Sequence, residues 1–130
     1  RCGWLDCVQL RRAVRINGAT SLVLTKSDVL NGRDTLRICT GYTVDGAKIE
    51  EFPPQLDVLE QVEPFYEELP GWQEDISGCR SWADLPENAK RYFERIEALV
   101  EVPIAIISVG PGREQTITHR SPFEATPAAR

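Results

Sequence analysis

At 130 residues with 42% hydrophobic side chains, the chain is long enough for one domain with a real core, and no apolar run is long enough to span a bilayer. A soluble protein is expected, and a net charge of −5 argues against a general binder of nucleic acid or anionic membrane, leaving only a local basic cluster to hold a phosphate. Four cysteines, Cys2, Cys7, Cys39 and Cys79, form no CxxC pair beside a single histidine, which favours reduced thiols in a cytosolic protein over a disulfide scaffold or a structural zinc site.

The chain begins at Arg1 and contains no methionine, which points to a piece of a longer protein with catalytic parts upstream. From Trp4 to Ile16, Trp4, Cys7, Leu10 and Val14 recur at helical spacing and Asn17-Gly18 supplies a stop, so a helix is predicted here. Arg11, Arg12 and Arg15 make it basic; they read either as a solvated, ion-paired face or as a phosphate or partner contact.

The next stretch, Ser21 to Asp28, reads as a short Val/Leu strand buried on both faces that opens into Thr25-Lys26-Ser27-Asp28. Ligands collect beyond the carboxyl ends of such strands. A carboxylate only accepts hydrogen bonds, and its two oxygens match the adjacent N1 and N2 donors of guanine, whereas adenine offers an acceptor at N1 and no 2-amino group. Asp28 therefore fits a guanine selector, with the Lys26 stem lying along the purine face. The same residues fit an ordinary solvated turn at a strand end.

Downstream, Leu36, Ile38, Thr40 and Tyr42 alternate as a half-buried strand, and Asp45-Gly46 marks a hairpin to Lys48–Phe52, ended by Pro53-Pro54. Leu56 to Glu60 reads as one helical turn and Val62 to Leu69 as a strand broken by Pro70-Gly71. The carboxylate pairs Glu50-Glu51, Glu67-Glu68 and Glu74-Asp75 read as surface charge, because neighbours on a strand point to opposite faces.

A polar loop with Trp72 and Trp82 as anchors leads to the clearest helix, Pro86 to Val100. Asp84 and Glu87 form a capping-box pattern, and Ala89, Tyr92, Phe93, Ile96, Leu99 and Val100 mark the core stripe. After Pro103, Ile104–Ile107 reads as a second buried strand opening into Ser108-Val109-Gly110-Pro111-Gly112. That loop reads either as a second contact to the same base or as a plain strand-ending loop. Thr116–Thr118 predicts a last short strand; His119 lacks any Cys or His partner and reads as structural or exposed. From Ser121 onward, Pro and Ala content predicts a loosely held tail.

Six segments in this order carry a resemblance: Gly3-Trp4-Leu5-Asp6, Arg15-Ile16-Asn17-Gly18, Leu24-Thr25-Lys26-Ser27-Asp28-Val29-Leu30, Leu69-Pro70-Gly71-Trp72, Leu85-Pro86-Glu87-Asn88-Ala89 and Ile106-Ile107-Ser108-Val109-Gly110-Pro111. Together they resemble the C-terminal part of the adenylosuccinate synthetase family, from Arg1 to about Arg120. The resemblance implies a homodimeric cytosolic ligase of purine synthesis that converts GTP, IMP and L-aspartate to adenylosuccinate, GDP and phosphate with Mg2+. It assigns Lys26, Ser27 and Asp28 to GTP binding, Ser108, Val109 and Gly110 to a second guanine-contacting loop, and Arg1 to a substrate-closing loop reaching aspartate and nucleotide phosphates. The family's glycine-rich phosphate loop, catalytic Asp and catalytic His, and with them the Mg2+ site, match nothing in this chain, so no catalytic residue is expected here.

The resulting expectation is an α+β domain over residues 1–120, with mixed strands and two main helices, forming the guanine-binding end of a larger α/β GTP-dependent ligase, followed by a loose tail at 121–130. The second reading is a non-catalytic guanine-nucleotide-binding or regulatory domain. Neither reading includes nucleic acid or membrane as a partner.

Overall fold

The first helix starts later than its apolar spacing predicts, because Asp6 caps it. In the computed structural model, which describes residues 2–123, the Asp6 carboxylate accepts from the backbone N–H of Val8 and Gln9 at 2.9 and 3.0 Å, satisfying donors that a helix start leaves unpaired. Helix α1 therefore spans Cys7–Asn17, and Leu5–Asp6 before it is a short strand, β1, rather than helix. Gly18 ends α1 at φ 62, the left-handed geometry that the Asn-Gly stop anticipates. Arg1 and residues 124–130 lie outside the described residues, so the expectations for Arg1 and for most of the tail have no structure to meet.

The remaining elements are β2 (Leu22–Leu24), β3 (Thr35–Val44), β4 (Ala47–Ile49), the single turn α2 (Leu56–Leu59), β5 (Glu63–Pro70), α3 (Glu87–Val100), β6 (Ile104–Ser108) and β7 (Thr116–Thr118). Three 3-10 turns, Ser27–Leu30, Ile76–Gly78 and Trp82–Asp84, join them. The α+β expectation with two main helices, α1 and α3, is met. Asp45 and Gly46 both take positive φ, 49 and 81, the type I′ geometry that lets β3 and β4 pair antiparallel in a tight hairpin.

The strands form two sheets. In the larger one, β5 pairs antiparallel along one edge of β3 from Thr35 to Thr43. The other edge is divided between β1, parallel at Ile38–Cys39, and β4, antiparallel at Tyr42–Val44. Pro64 falls in β5, an outer strand, where its missing N–H costs no central ladder bond. The smaller sheet runs β2-β6-β7, with β2 parallel to β6 and β7 antiparallel to it.

Helix α1 packs on both β3 and α3. The core joins Cys7 and Val14 of α1, Leu36 and Ile38 of β3, Phe93 and Ile96 of α3, Ile104 and Ile107 of β6, and Trp72 and Ile76 from the loop between β5 and α3. Two expectations are corrected. Strand β2 is not buried on both faces: it is the edge of its sheet, and Val23 is 56% exposed; the fully buried role belongs to β6, which has a strand on each side. Asp84 does not cap α3 with Glu87; it closes a capping box with Ser81 across the preceding 3-10 turn, while Pro86 stands at the N-cap of α3. The Asp84 carboxylate accepts from the backbone N–H of Arg80 and of Ser81, both at 3.0 Å, which commits it to the turn before α3.

Charged residues settle on the surface in pairs. Arg15 reaches Glu51 at 3.2 Å, Arg37 reaches Glu68 at 3.0 Å and Arg95 reaches Glu67 at 2.8 Å. Neighbours Glu67 and Glu68 meet partners on different elements, as opposite faces of a strand require. Arg11 donates to the Glu50 carbonyl at 3.2 Å and Arg12 lies 5.3 Å over the Phe52 ring, so the α1 arginines are engaged within the domain. All four cysteines are free, and burial, with the Asp6 charge next, pushes the Cys7 thiol up to about 12.

His119 stacks on Trp82, with ring centroids 3.9 Å apart and planes 20° apart. Burial, then the Arg120 charge, hold its pKa below the ordinary 6.5, while Glu97 and Glu94 oppose the shift. The unfolded chain therefore takes a proton first as pH falls. Unfolding free energy should decline as pH drops below about 6.5 and level off once folded His119 is also protonated. Urea titrations across that range on wild type and His119→Gln test this: the variant should lose that part of the slope.

Candidate functional site

Two strands aligned in the same direction bring their carboxyl ends to one edge. Leu24 is in register with Ile107, so the chain leaving β2 through Thr25-Lys26-Ser27-Asp28 and the chain leaving β6 through Ser108-Val109-Gly110 emerge side by side, where ligands bind in parallel sheets. This edge unites the residues that were expected to act together.

The exit from β2 is sharp. Lys26 adopts left-handed backbone at φ 59, unusual for a residue with a Cβ, and this kink starts the Ser27–Leu30 turn. Val29 N–H donates to the Lys26 carbonyl at 3.3 Å and Asn31 N–H to the Asp28 carbonyl at 3.1 Å. Lys26 is exposed, Asp28 half-buried and Ser27 buried at 4% exposure. Among the described residues no hydrogen bond or ion pair occupies the Asp28 carboxylate, so its four lone-pair directions are available to a donor pair. Ser27 packs inward, so of the three residues expected to bind GTP here only Lys26 and Asp28 present side chains toward the surface.

On the second loop, Val109 is fully buried and its N–H donates to the Gln115 carbonyl at 2.9 Å. Its side chain is a core anchor. The Ser108 hydroxyl donates to the Gly110 carbonyl at 3.1 Å and keeps its acceptor capacity, so a ligand acceptor must compete with that carbonyl. Gly110 leaves space for its neighbour: a Cβ there would overlap the Gln115 side-chain amide, which would have to shift. That amide is occupied, because its oxygen accepts from Gly112 N–H at 2.8 Å.

Sequence reasoning did not single out Asn31 or Gln115. Asn31 accepts from Trp72 Nε1 at 3.0 Å and donates to Asp75 Oδ1 at 2.9 Å, pinning the end of the turn that carries Asp28. The partners of Asn31 lie far along the chain.

The Lys26 side chain also lines two open clefts. One, about 250 Å³, runs along Trp4, Leu24, Ser27, Leu30 and Tyr92. The other, about 570 Å³, is lined by Cys2, Gly3, Trp4, Val29, Leu30, Arg33 and Tyr66 besides Lys26. Arg33 lies 5.6 Å over the Trp4 ring, and two cations with no acid in that lining make the larger cleft attractive to anions. Neither cleft includes Asp28 or Ser108, so the structure brings Lys26, but not Asp28, to the segment that follows Arg1. Among the described residues no group of three or more His, Cys, Asp or Glu converges as a metal cage.

Comparison with known proteins places this edge in context. The family model for adenylosuccinate synthetase matches residues 1–117. The chain is 58% identical over 123 residues to the adenylosuccinate synthetase of Moorella thermoacetica and 53% identical over 123 residues to that of Geobacter metallireducens, covering 95% of this chain in both cases. It spans 29% of the length of each of these curated relatives. A solved structure of the fully ligated adenylosuccinate synthetase from Plasmodium falciparum superimposes with a TM-score of 0.87 at 40% identity, covering 92% of this chain and 29% of that one.

The crowding at Gly110 makes a direct prediction. Gly110→Ala should displace the Gln115 amide from Gly112 and destabilise the protein by about 1–3 kcal/mol, the range for an orphaned hydrogen-bonding group. Gly3→Ala, where a Cβ meets nothing within 4 Å, should stay within about 0.5 kcal/mol of wild type, as ordinary surface substitutions do. Denaturant unfolding of the two variants side by side measures the difference.

Proposed function

The chain belongs to the adenylosuccinate synthetase family, and from that premise we propose that it forms the guanine-reading part of a GTP-dependent ligase that joins IMP and L-aspartate into adenylosuccinate. The observation that carries this reading is the parallel β2–β6 pairing, which brings the turn that carries Asp28 and the Ser108–Gly110 loop out at the same end of the sheet. Asp28 accepts from N1–H and the 2-amino group of guanine and rejects adenine, whose N1 would face it with a lone pair. The Lys26 stem covers a purine face, adding affinity without choice of base. Ser108 and Gly110 approach the base from the other strand end, with Ser27 and Val109 supporting the two loops from within the core.

The nucleotide then extends past Lys26 into the acid-free cleft beside Cys2, Gly3 and Trp4, where Arg33 favours phosphate. Arg1 acts as the end of a substrate-closing loop that reaches aspartate and nucleotide phosphates. In the reaction, GTP phosphorylates the 6-oxygen of IMP and the aspartate amine displaces the phosphate. This chain selects and orients the nucleotide, while phosphoryl transfer belongs to residues elsewhere in the ligase. Mg2+ would serve that transfer by neutralising phosphate charge. No helix among the described residues is long and apolar enough to cross a membrane; the ligase proposed is cytoplasmic and homodimeric.

In the full-length ligase, Asp28→Asn should raise the KM for GTP on the order of a hundredfold and shift preference toward xanthosine triphosphate, whose 2-oxygen accepts from the new amide. Unchanged GTP kinetics would remove Asp28 from the site. Arg1→Leu should reduce turnover or substrate affinity at an unchanged melting temperature, whereas Arg15→Leu, which removes the Glu51 pair, should act on stability alone; kinetics and thermal melts on both variants separate the two roles.

A further inference from the structure

We propose that the short 3-10 turn Ile76–Gly78, with its cap Asp75, is a strut between the two guanine-facing loops, and that Asn31, Asp75 and Gln115 are positioning residues for base selectivity that do not touch the base. This inference rests on the guanine reading of Asp28 and Ser108. The β2–β6 ladder aligns the strands but its register ends at Leu24 and Ile107. Beyond that point each loop must be held by something else, since a two-point hydrogen bond to a base edge tolerates only small displacements.

A continuous series of hydrogen bonds supplies the hold. From the first loop, Asn31 N–H binds the Asp28 carbonyl at 3.1 Å, and the Asn31 side-chain amide donates to Asp75 Oδ1 at 2.9 Å. The same oxygen accepts from Ser77 N–H at 2.9 Å, which fixes the start of the turn. From the turn, the Ser77 carbonyl accepts from Gln115 Nε2 at 3.3 Å. Gln115 in turn binds Gly112 N–H through its side-chain oxygen and Val109 N–H through its carbonyl. Asp28 and the Ser108–Gly110 loop are thus linked through one three-residue turn that belongs to neither.

The turn is itself anchored. Ile76 is fully buried in the core, Trp72 binds the Asn31 oxygen, and Arg80 Nη1 also donates to the Ser77 carbonyl at 2.7 Å. Ser77 N–H, the Ser77 hydroxyl and the Asn31 amide hold the Asp75 carboxyl below its ordinary range, so the acceptor stays ionised at neutral pH. Both side chains that reach the turn from the loops are neutral amides, each able to donate and accept at once, which is what a link in such a series requires.

The test compares GTP with inosine triphosphate, which lacks the 2-amino group, in the full-length ligase. Asn31→Ala, Asp75→Ala and Gln115→Ala should each lower the GTP-to-ITP ratio of kcat/KM by about three- to tenfold, the effect of one lost hydrogen bond, through KM for GTP with little change in kcat. Asp75→Asn, which keeps an acceptor oxygen, should restore most of the ratio. The double variant Asn31→Ala/Gln115→Ala should lose little more than either single one, since both cut the same series. Unchanged ratios with only a lowered melting temperature, or fully additive losses, would overturn the strut. Asp28→Asn serves as the reference: if it leaves the ratio intact, the guanine reading and the strut fall together, and if it abolishes the ratio while the other variants do not, the strut alone falls.

Discussion

Side-by-side strands running in the same direction cannot be joined by a hairpin, because the chain must return to the starting end before the second strand begins. In this domain the return from β2 to β6 carries most of the molecule: the β3–β4 hairpin, β5, the Trp72–Trp82 loop and helix α3 all lie between them. The parallel ladder from Leu22 to Leu24 therefore depends on the whole intervening structure folding back correctly. In exchange it brings two loops distant in sequence to a single edge, the geometric requirement of the site.

What holds that return path is apolar. Phe93, Ile96 and Val100 of α3 pack with Cys7 and Val14 of α1 and with Ile104 and Ile107 of β6, so one cluster ties the first helix, the last helix and the central strand of the smaller sheet. Trp72 stands within reach of Tyr92 and Phe93, with ring centroids at 6.0 and 6.3 Å, and its indole N–H serves Asn31. One side chain thus contributes to the core with its ring and to the site with its polar tip, a division that suits tryptophan.

The site beyond the strand ends is governed differently. There the chain is short turns, and the contacts are backbone groups satisfied by Asn, Asp and Gln side chains. Such bonds contribute little net stability each but are directional, so they fix loop positions that apolar packing leaves loose. Gly110 belongs to this logic, since its missing Cβ leaves the room that the Gln115 amide fills.

Local chemistry was legible in the residues alone. Asn17-Gly18 ends α1, Asp45-Gly46 makes the hairpin, the α3 stripe from Ala89 to Val100 is core, and the acceptor-only carboxylate of Asp28 follows a strand, because each depends on residues within a few positions of one another. The start of α1 and the cap at Asp84 were corrected by partners only two or three positions away, where several local pairings compete. Whether Val23 faces solvent instead depends on which strands flank β2, outside that window. The links from Asn31 to Asp75 and from Gln115 to Ser77 join residues 44 and 38 positions apart. No period or spacing in the sequence encodes them, since a hydrogen bond between distant side chains is chosen only when the packed core has brought its two ends together.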